Sequence, residues 1–165
     1  MNALRTVFAV VLTLALGAGI VATSGRAVAD DDNSPKKAVG DDADYKAGKK
    51  AIDAKNWKSA VDSFSRATRT FNDPDVYNLL AYSQRQSGDL DSAFKNYNTA
   101  LRLDPNHRGA HEYIGEAYLM KSDLANAEKH LQALDRLCHK TCDEYQDLAK
   151  AIATFKTTGK VSSSW

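Results

Sequence analysis

The chain has 165 residues and a formal net charge of +1 at pH 7, from 22 basic and 21 acidic side chains. This balance excludes the basic excess by which proteins bind nucleic acids or anionic membranes. Four histidines and two cysteines are its only imidazole and thiol groups, so metal and redox chemistry have few donors available.

The first 29 residues have the organisation of a secretory signal peptide. Arg5 gives a basic start, residues 7–22 form a short apolar core, and a stretch of small residues ends at Ala29. The apolar run is shorter than the roughly 20 residues that span a bilayer. We expect cleavage between Ala29 and Asp30, which removes Arg5 and Arg26 and changes the net charge from +1 to −1. The mature chain is expected to be exported, to the periplasm or alternatively to the medium, without stable membrane insertion.

Residues 30–41 (DDDNSPKKAVGD) are rich in charge and lack apolar periodicity, which predicts a disordered linker. From residue 42 onward the chain repeats itself. The segments at 57–67, 90–100 and 124–134 align with one another at steps of 33 and 34 residues. Another segment with the same period lies upstream of each of these three. Both segments of a unit carry apolar residues three and four positions apart. Two amphipathic helices per unit are therefore predicted.

A helical hairpin repeated at this period resembles the tetratricopeptide repeat. The middle unit matches the family pattern best, at Leu80, Ala81, Gly88, Leu90, Ala93, Tyr97, Ala100 and Pro105. The resemblance implies an all-α solenoid over residues 42–157. Its three hairpins fall at about 41–73, 74–107 and 108–141, followed by a capping helix at 142–157 and a flexible tail at 158–165.

Three positions depart from the family pattern. Asp44 stands where a bulky apolar residue is usual, and Ala51 and Gln84 replace aromatic residues. We expect these substitutions to loosen the core locally without changing the fold.

The resemblance also implies a function, because the first helices of such units line a groove that accepts peptide segments. Alignment puts nine residues on this groove: Tyr45, Lys49, Ile52, Asn78, Tyr82, Arg85, Glu112, Glu116 and Leu119. The predicted groove is basic at Lys49 and Arg85 and acidic at Glu112 and Glu116. Charge reversal at Arg85 or Glu116 is expected to weaken partner capture without lowering the melting temperature.

One specialised groove can be compared directly. Repeats that hold the C-terminal carboxylate of chaperones use lysines, asparagines and an arginine. In this sequence only Asn78 matches one of those residues. Tyr45 stands at a lysine position, and Gly109 and Tyr113 replace a basic pair. The carboxylate clamp is therefore predicted to be absent.

No catalytic motif stands out. The chain has no Gly-rich phosphate loop, no G-x-S-x-G and no H-E-x-x-H, so we expect no enzymatic activity and no cofactor. His107 and His111 have a four-residue spacing that can hold a metal ion on one helix face. However, His111 occupies a core position of the repeat and His107 an inter-unit turn. Packing or surface roles are favoured, and no metal site is predicted.

The two cysteines, Cys138 and Cys142, fall between the third unit and the capping helix. In an oxidising compartment two nearby thiols are expected to form a disulfide, and closing so short a loop stabilises by about 2 kcal/mol. Two alternatives remain open. One is a metal site of Cys138, His139 and Cys142, completed by His130 or another chain. The other is redox chemistry, although oxidoreductases of this kind use C-x-x-C.

These observations predict a non-catalytic protein–protein interaction module of the bacterial cell envelope, with an unidentified protein or peptide as its partner and no nucleic acid. Two alternative functions stay open. One is a metal- or redox-responsive protein that uses Cys138 and Cys142. The other is a structural homo-oligomer that packs through the ends of the solenoid.

Overall fold

A computed structural model describes residues 38–161, which fall within one compact unit. The predicted signal peptide, its cleavage site at Ala29 and Asp30, residues 30–37 of the linker and residues 162–165 of the tail lie outside the described residues. Across residues 38–161, no helix is long and apolar enough to span a bilayer.

The secondary structure of residues 38–161 is entirely helical, which confirms the predicted all-α class. A single 3-10 turn at Val39–Asp41 precedes seven α-helices: α1 Ala43–Asp53, α2 Trp57–Ala67, α3 Pro74–Gln86, α4 Leu90–Leu103, α5 Arg108–Met120, α6 Leu124–Cys138 and α7 Asp143–Thr158. Helices α1 and α2, α3 and α4, and α5 and α6 pair as three hairpins. Helix α7 packs against both α5 and α6, and α3 also contacts α5.

The second helix of every hairpin begins at an equivalent cap. The side chains of Asn56, Asp89 and Asp123 each accept a hydrogen bond from the backbone N–H three residues further on. Such caps satisfy N–H groups that have no partner within the helix. Their steps of 33 and 34 residues match the period of the apolar pattern, so the same residues fix both the helix start and the repeat register.

The first helices of the second and third units begin differently. Asp73 caps α3, and Pro74 follows at the first helical position, where its missing N–H costs nothing. At α5 the cap is His107, whose Nδ1 accepts from the Ala110 N–H at 3.0 Å. His107 therefore has a structural role at this helix start.

The three-residue links inside the hairpins share one backbone conformation. Lys55, Gly88 and Ser122 all have positive φ angles, of 52°, 90° and 59°. Only Gly88 is free of the steric penalty that an L side chain meets there. The hairpin geometry thus imposes this conformation whichever residue is present.

Close helix crossings explain the small residues of the pattern. A Cβ atom added to Gly48 would lie 2.6 Å from the Phe64 ring, and one added to Gly115 would lie 2.6 Å from Leu148. Neither contact is sterically allowed, so these glycines let α1 approach α2 and α5 approach α7. Phe64 and Leu148 are fully buried as a result.

Two boundaries differ from the prediction. Val39–Asp41, assigned to the disordered linker, form the 3-10 turn, because Val39 packs against the apolar cluster of the first unit. The capping helix, predicted at residues 142–157, spans Asp143–Thr158 and ends at Gly159 in the left-handed conformation.

Two of the three departures from the family pattern make polar contacts between helices. Asp44 on α1 accepts a hydrogen bond from Arg66 Nε on α2 at 2.8 Å. Gln84 on α3 accepts one from Asn96 Nδ2 on α4, also at 2.8 Å. Each replaces an apolar contact with a contact of the same two helices.

Candidate functional site on the first helices

A row of aromatic rings crosses the three units. The rings of Trp57 and Tyr82 meet edge-on with centroids 5.9 Å apart, and Tyr82 lies 5.0 Å from Tyr113 at a tilt of 41°. All three side chains are half-buried. We refer to Trp57, Tyr82 and Tyr113 as the aromatic row.

Arg85 lies behind this row. Its guanidinium carbon is 5.4 Å from the Tyr82 ring centroid and 5.7 Å from that of Tyr113, within the range of cation–π attraction. On its other side, Nη2 lies 2.8 Å from Glu116 Oε2. Only 2% of the Arg85 side chain and none of the Glu116 side chain is exposed. The rings therefore cover an ion pair that water does not reach.

The geometry of this ion pair is imperfect. The two groups have the separation of an ion pair, but Arg85 Nη2 and both Glu116 oxygens lack a well-directed hydrogen bond within residues 38–161. Burial raises the pKa of Glu116 to about 7, and the nearby guanidinium only partly opposes this rise. For Glu116, desolvation outweighs the attraction of Arg85.

Glu112 adds a second buried carboxyl one turn away on α5. Burial raises its pKa to about 8, and the neighbouring acids Glu116, Asp147 and Glu144 raise it further. Asp147 and Glu144 belong to α7, so α7 brings two acidic side chains close to the buried carboxyl of Glu112 on α5. Glu144 also approaches Arg108 Nε at 3.5 Å.

The structure brings together five of the nine residues predicted for the groove. We use the term inner face for these five with Tyr113, which lie on α3 and α5: Asn78, Tyr82, Arg85, Glu112, Tyr113 and Glu116. Their contacts include the Tyr82–Tyr113 rings and the Arg85–Glu116 pair. Asn78 is buried beside Gly109 of α5.

The first-unit residues have different environments. Tyr45 packs edge-on against Phe64 at 5.9 Å, and Ile52 contacts the same apolar cluster. Lys49 is exposed. Among these predicted groove residues, only Lys49 presents a solvated side chain, so the first unit contributes charge to the surface and little apolar contact area.

Two expectations about the groove need correction. Arg85 and Glu116 are not solvated groove charges but an interior pair, so charge reversal at either residue must lower stability. Leu119 is also interior, with 1% of its surface exposed, because it packs in the cluster that contains Leu134 and Leu148.

The sequence reasoning missed two members of the aromatic row. In the sequence, Trp57 fits the repeat pattern alone, and Tyr113 stands where the carboxylate clamp has a basic residue. A signal existed, because Tyr82 and Tyr113 precede the paired residues Arg85 and Glu116 by the same three positions on successive first helices.

The cysteines lie at the join between α6 and α7. The sulfur atoms of Cys138 and Cys142 are at bonding distance, with Cα atoms 5.8 Å apart. The link between them includes His139 and Lys140, both with positive φ. No thiol of the described residues is unpaired, and this site lies apart from the aromatic row.

The histidines do not pair as their spacing in the sequence suggested. His107 caps α5 and contacts Asp75 through Nε2 at 2.9 Å. His111 instead meets His130 of α6, with their Nδ1 atoms 2.9 Å apart. The His107–His111 pair considered from the sequence is therefore not assembled. No group of three or more His, Cys, Asp or Glu side chains within residues 38–161 is arranged to hold a metal ion.

The fold and the inner face define an α-helical repeat solenoid. The sequence profile of the tetratricopeptide repeat matches residues 45–105 and 78–138. The chain therefore belongs to the tetratricopeptide repeat family. No curated protein matches it.

Solved structures share the fold at low identity. The tetratricopeptide domain of Arabidopsis OM64 has a TM-score of 0.60 and 16% identity, over 66% of this chain and 90% of that one. The first tetratricopeptide domain of Spaghetti (RPAP3), bound to the HSP90 peptide SRMEEVD, has a TM-score of 0.61 and 17% identity, over 68% of this chain and 90% of that one. PcrH, in complex with the chaperone-binding region of PopD, has a TM-score of 0.60 and 20% identity, over 69% of this chain and 86% of that one.

Proposed function

We propose that this protein is a non-catalytic binding module of the bacterial cell envelope that holds an extended segment of a partner protein on its inner face. The observation that carries the proposal is the half-buried aromatic row of Trp57, Tyr82 and Tyr113. Aromatic side chains supply large contact area at a small entropy cost and keep a polar edge for hydrogen bonding.

The spacing of the row suits an extended chain. Neighbouring ring centroids are 5.9 Å and 5.0 Å apart, somewhat closer than the roughly 6.6 Å between alternate side chains of an extended strand. A segment lying across the row would therefore place alternate side chains near successive rings. The side chains between them would point away from the row, toward solvent or toward the rest of the partner protein.

The charge of the surface favours a segment with a basic residue near α7. Glu144 and Asp147 of α7 are close enough to Glu112 for their charges to raise its pKa. A cation there would lower the pKa of Glu112 by offsetting its acidic neighbours. An acidic segment would meet repulsion at the same place.

Related structures support peptide binding and also limit the analogy. Spaghetti (RPAP3) holds an HSP90 peptide and PcrH a region of PopD. The basic residues expected of a carboxylate clamp are replaced here by Tyr45, Gly109 and Tyr113. We therefore propose binding of an internal segment rather than of a C-terminal carboxylate.

The test uses Trp57 as a reporter. The chain has two tryptophans, so Trp165→Phe leaves Trp57 as the single tryptophan, which can be excited selectively over the tyrosines. Peptides selected on the immobilised chain 30–165 should change Trp57 fluorescence. Tyr82→Ala and Tyr113→Ala should each weaken their binding about tenfold or more.

Tyr77→Ala is the matched control, because Tyr77 is a half-buried tyrosine of the same helix α3. Equal affinity for Tyr82→Ala, Tyr113→Ala and the parent chain would contradict the proposed face. Circular dichroism of each variant establishes that the fold is retained.

The envelope location rests on residues 1–29 and has its own test. Expressed in a bacterium, the chain should appear in the periplasmic fraction with Asp30 as its first residue, as mass spectrometry would determine. A cytoplasmic full-length product would overturn this part of the proposal. Light scattering of the mature chain separates a monomeric binding module from a homo-oligomer.

A further inference from the structure

His111 of α5 and His130 of α6 form a contact that the peptide-binding proposal does not use. Their ring centroids are 5.2 Å apart, and their Nδ1 atoms approach to 2.9 Å. The Tyr118 ring stacks on His130 at 5.7 Å with a tilt of 20° and so holds the plane of that imidazole. The two imidazoles are tilted by 45° to each other and meet through their Nδ1 atoms.

Hydrogen bonding determines which nitrogen of His111 carries the proton. His111 Nε2 lies 3.0 Å from the carbonyl oxygen of Pro105, which can only accept. The proton is therefore on Nε2, and the Nδ1 lone pair accepts a hydrogen bond from His130 Nδ1–H. A carbonyl that orients the remote nitrogen in this way is typical of metal-bound histidines.

We propose that His111 and His130 form a binding site for a divalent late transition-metal ion, such as Cu²⁺ or Zn²⁺, through their two Nδ1 atoms. Imidazole nitrogens bind such ions at about 2.0–2.1 Å, so two of them on one ion are about 2.9–3.4 Å apart. The observed separation of 2.9 Å falls at the lower end of that range. To bind the ion, both rings must turn so that their lone pairs converge on a point beside the line that joins the two nitrogens.

Proton balance requires one tautomer change. In the metal-free pair, His130 Nδ1–H donates to the His111 Nδ1 lone pair. On binding, His130 must carry its proton on Nε2 instead, so both Nδ1 atoms coordinate as neutral ligands and no net proton is released. Burial lowers the pKa of both imidazoles, that of His130 to about 4, so both are neutral at pH 7.

The surroundings leave room for the rest of the coordination shell. A cavity of about 220 Å³ borders His111 and is lined also by Pro105, Asn106, Ala133, Arg136 and Leu137. His130 does not line this cavity, and the described residues offer only two ligands here, so solvent must supply the remaining ligands. Asp104 attracts a cation at this position, whereas Arg136, Lys129 and His107, when charged, oppose it. We therefore expect an exchangeable ion rather than a permanent structural one.

The experiment titrates Zn²⁺ alone into the chain 30–165 by calorimetry at pH 7 and records electron paramagnetic resonance with Cu²⁺ alone. The wild-type chain should bind one ion, and its Cu²⁺ spectrum should show coupling to two imidazole nitrogens. His111→Gln and His130→Gln should each weaken binding by at least about tenfold. His139→Gln should not, because His139 is exposed and lies in the link to α7.

A result with equal affinity for the wild-type chain and either variant would overturn the site, as would the absence of binding to the wild-type chain. Nitrogen-15 nuclear magnetic resonance of the imidazoles in the wild-type chain tests the site without any substitution, so it does not depend on whether the variants fold. Saturating Zn²⁺ must shift both Nδ1 signals, and a shift confined to other histidines or to the amino terminus also refutes the proposal.

Discussion

Arg85 of α3 and Glu116 of α5 form an ion pair in the interior, with 2.8 Å between Nη2 and Oε2. The pair links the first helices of the second and third units behind Tyr82 and Tyr113. Because both charges have left water, its net stabilisation is small, whereas removal of one partner leaves an uncompensated buried charge.

The first prediction concerns this pair. Arg85→Met should lower the free energy of unfolding by about 3–5 kcal/mol, because Glu116 then loses the guanidinium that faces it. Urea denaturation measures the change. The double variant Arg85→Met with Glu116→Leu should lose much less, since neither charge remains. A single variant within about 0.5 kcal/mol of the parent would show that the pair is not isolated from water.

The ion pair also shows where sequence reasoning stopped. The helices, their pairing and their period could be predicted, because apolar spacing and small residues recur every 33 or 34 positions. Arg85 and Glu116 occupy positions that equally suit a solvated surface, and only the crossing of α3 and α5 removes them from water. Likewise, the contact between His111 and His130 depends on how α5 packs on α6, which no local pattern encodes.

The second prediction concerns the crossing of α5 and α7. Gly115→Ala adds a Cβ atom 2.6 Å from Leu148 and should destabilise the protein by about 1–3 kcal/mol, because the two helices must separate. Thermal unfolding measures the effect, and Leu148→Ala in the same chain should relieve the overlap. Gly40→Ala is the control, since its added Cβ would meet nothing within 4 Å. Equal melting temperatures for Gly115→Ala and the parent would contradict this packing.

The third prediction is a pH dependence at Glu112. Its carboxyl ionises near pH 4.5 in the unfolded chain but near pH 8 in the folded protein. Between these values the folded state binds more protons, so its stability falls as pH rises. Glu112→Gln should remove this loss and stabilise the protein by on the order of 2 kcal/mol at pH 8.5 relative to its effect at pH 5.

Chemical denaturation at the two pH values tests this. Asp62→Asn removes an exposed acidic side chain of α2 and is the control for the loss of one negative charge. A Glu112→Gln effect that is independent of pH would mean that this carboxyl is already solvated.

The fourth prediction concerns the cysteines. Replacing Cys138 and Cys142 by serine should lower the free energy of unfolding by about 2 kcal/mol, the entropy of closing a five-residue loop. The loss should be local, so amide hydrogen exchange should accelerate in α7 before it does in α3. Unchanged amide exchange in α7 of the serine variant would show that the packing of α7 on α5 and α6 is enough to hold it in place.

The equivalent links of the three hairpins have a practical consequence for engineering. In each, a residue with positive φ precedes the capping side chain of the next helix by one position, as Lys55 precedes Asn56 and Gly88 precedes Asp89. One inserted residue would separate the two and misdirect the second helix, although surface loops usually tolerate insertions. The connection at residues 68–73 is longer and has no residue with positive φ, but Phe71 packs against the core and Asp73 caps α3, so a reporter or tag must leave both in place.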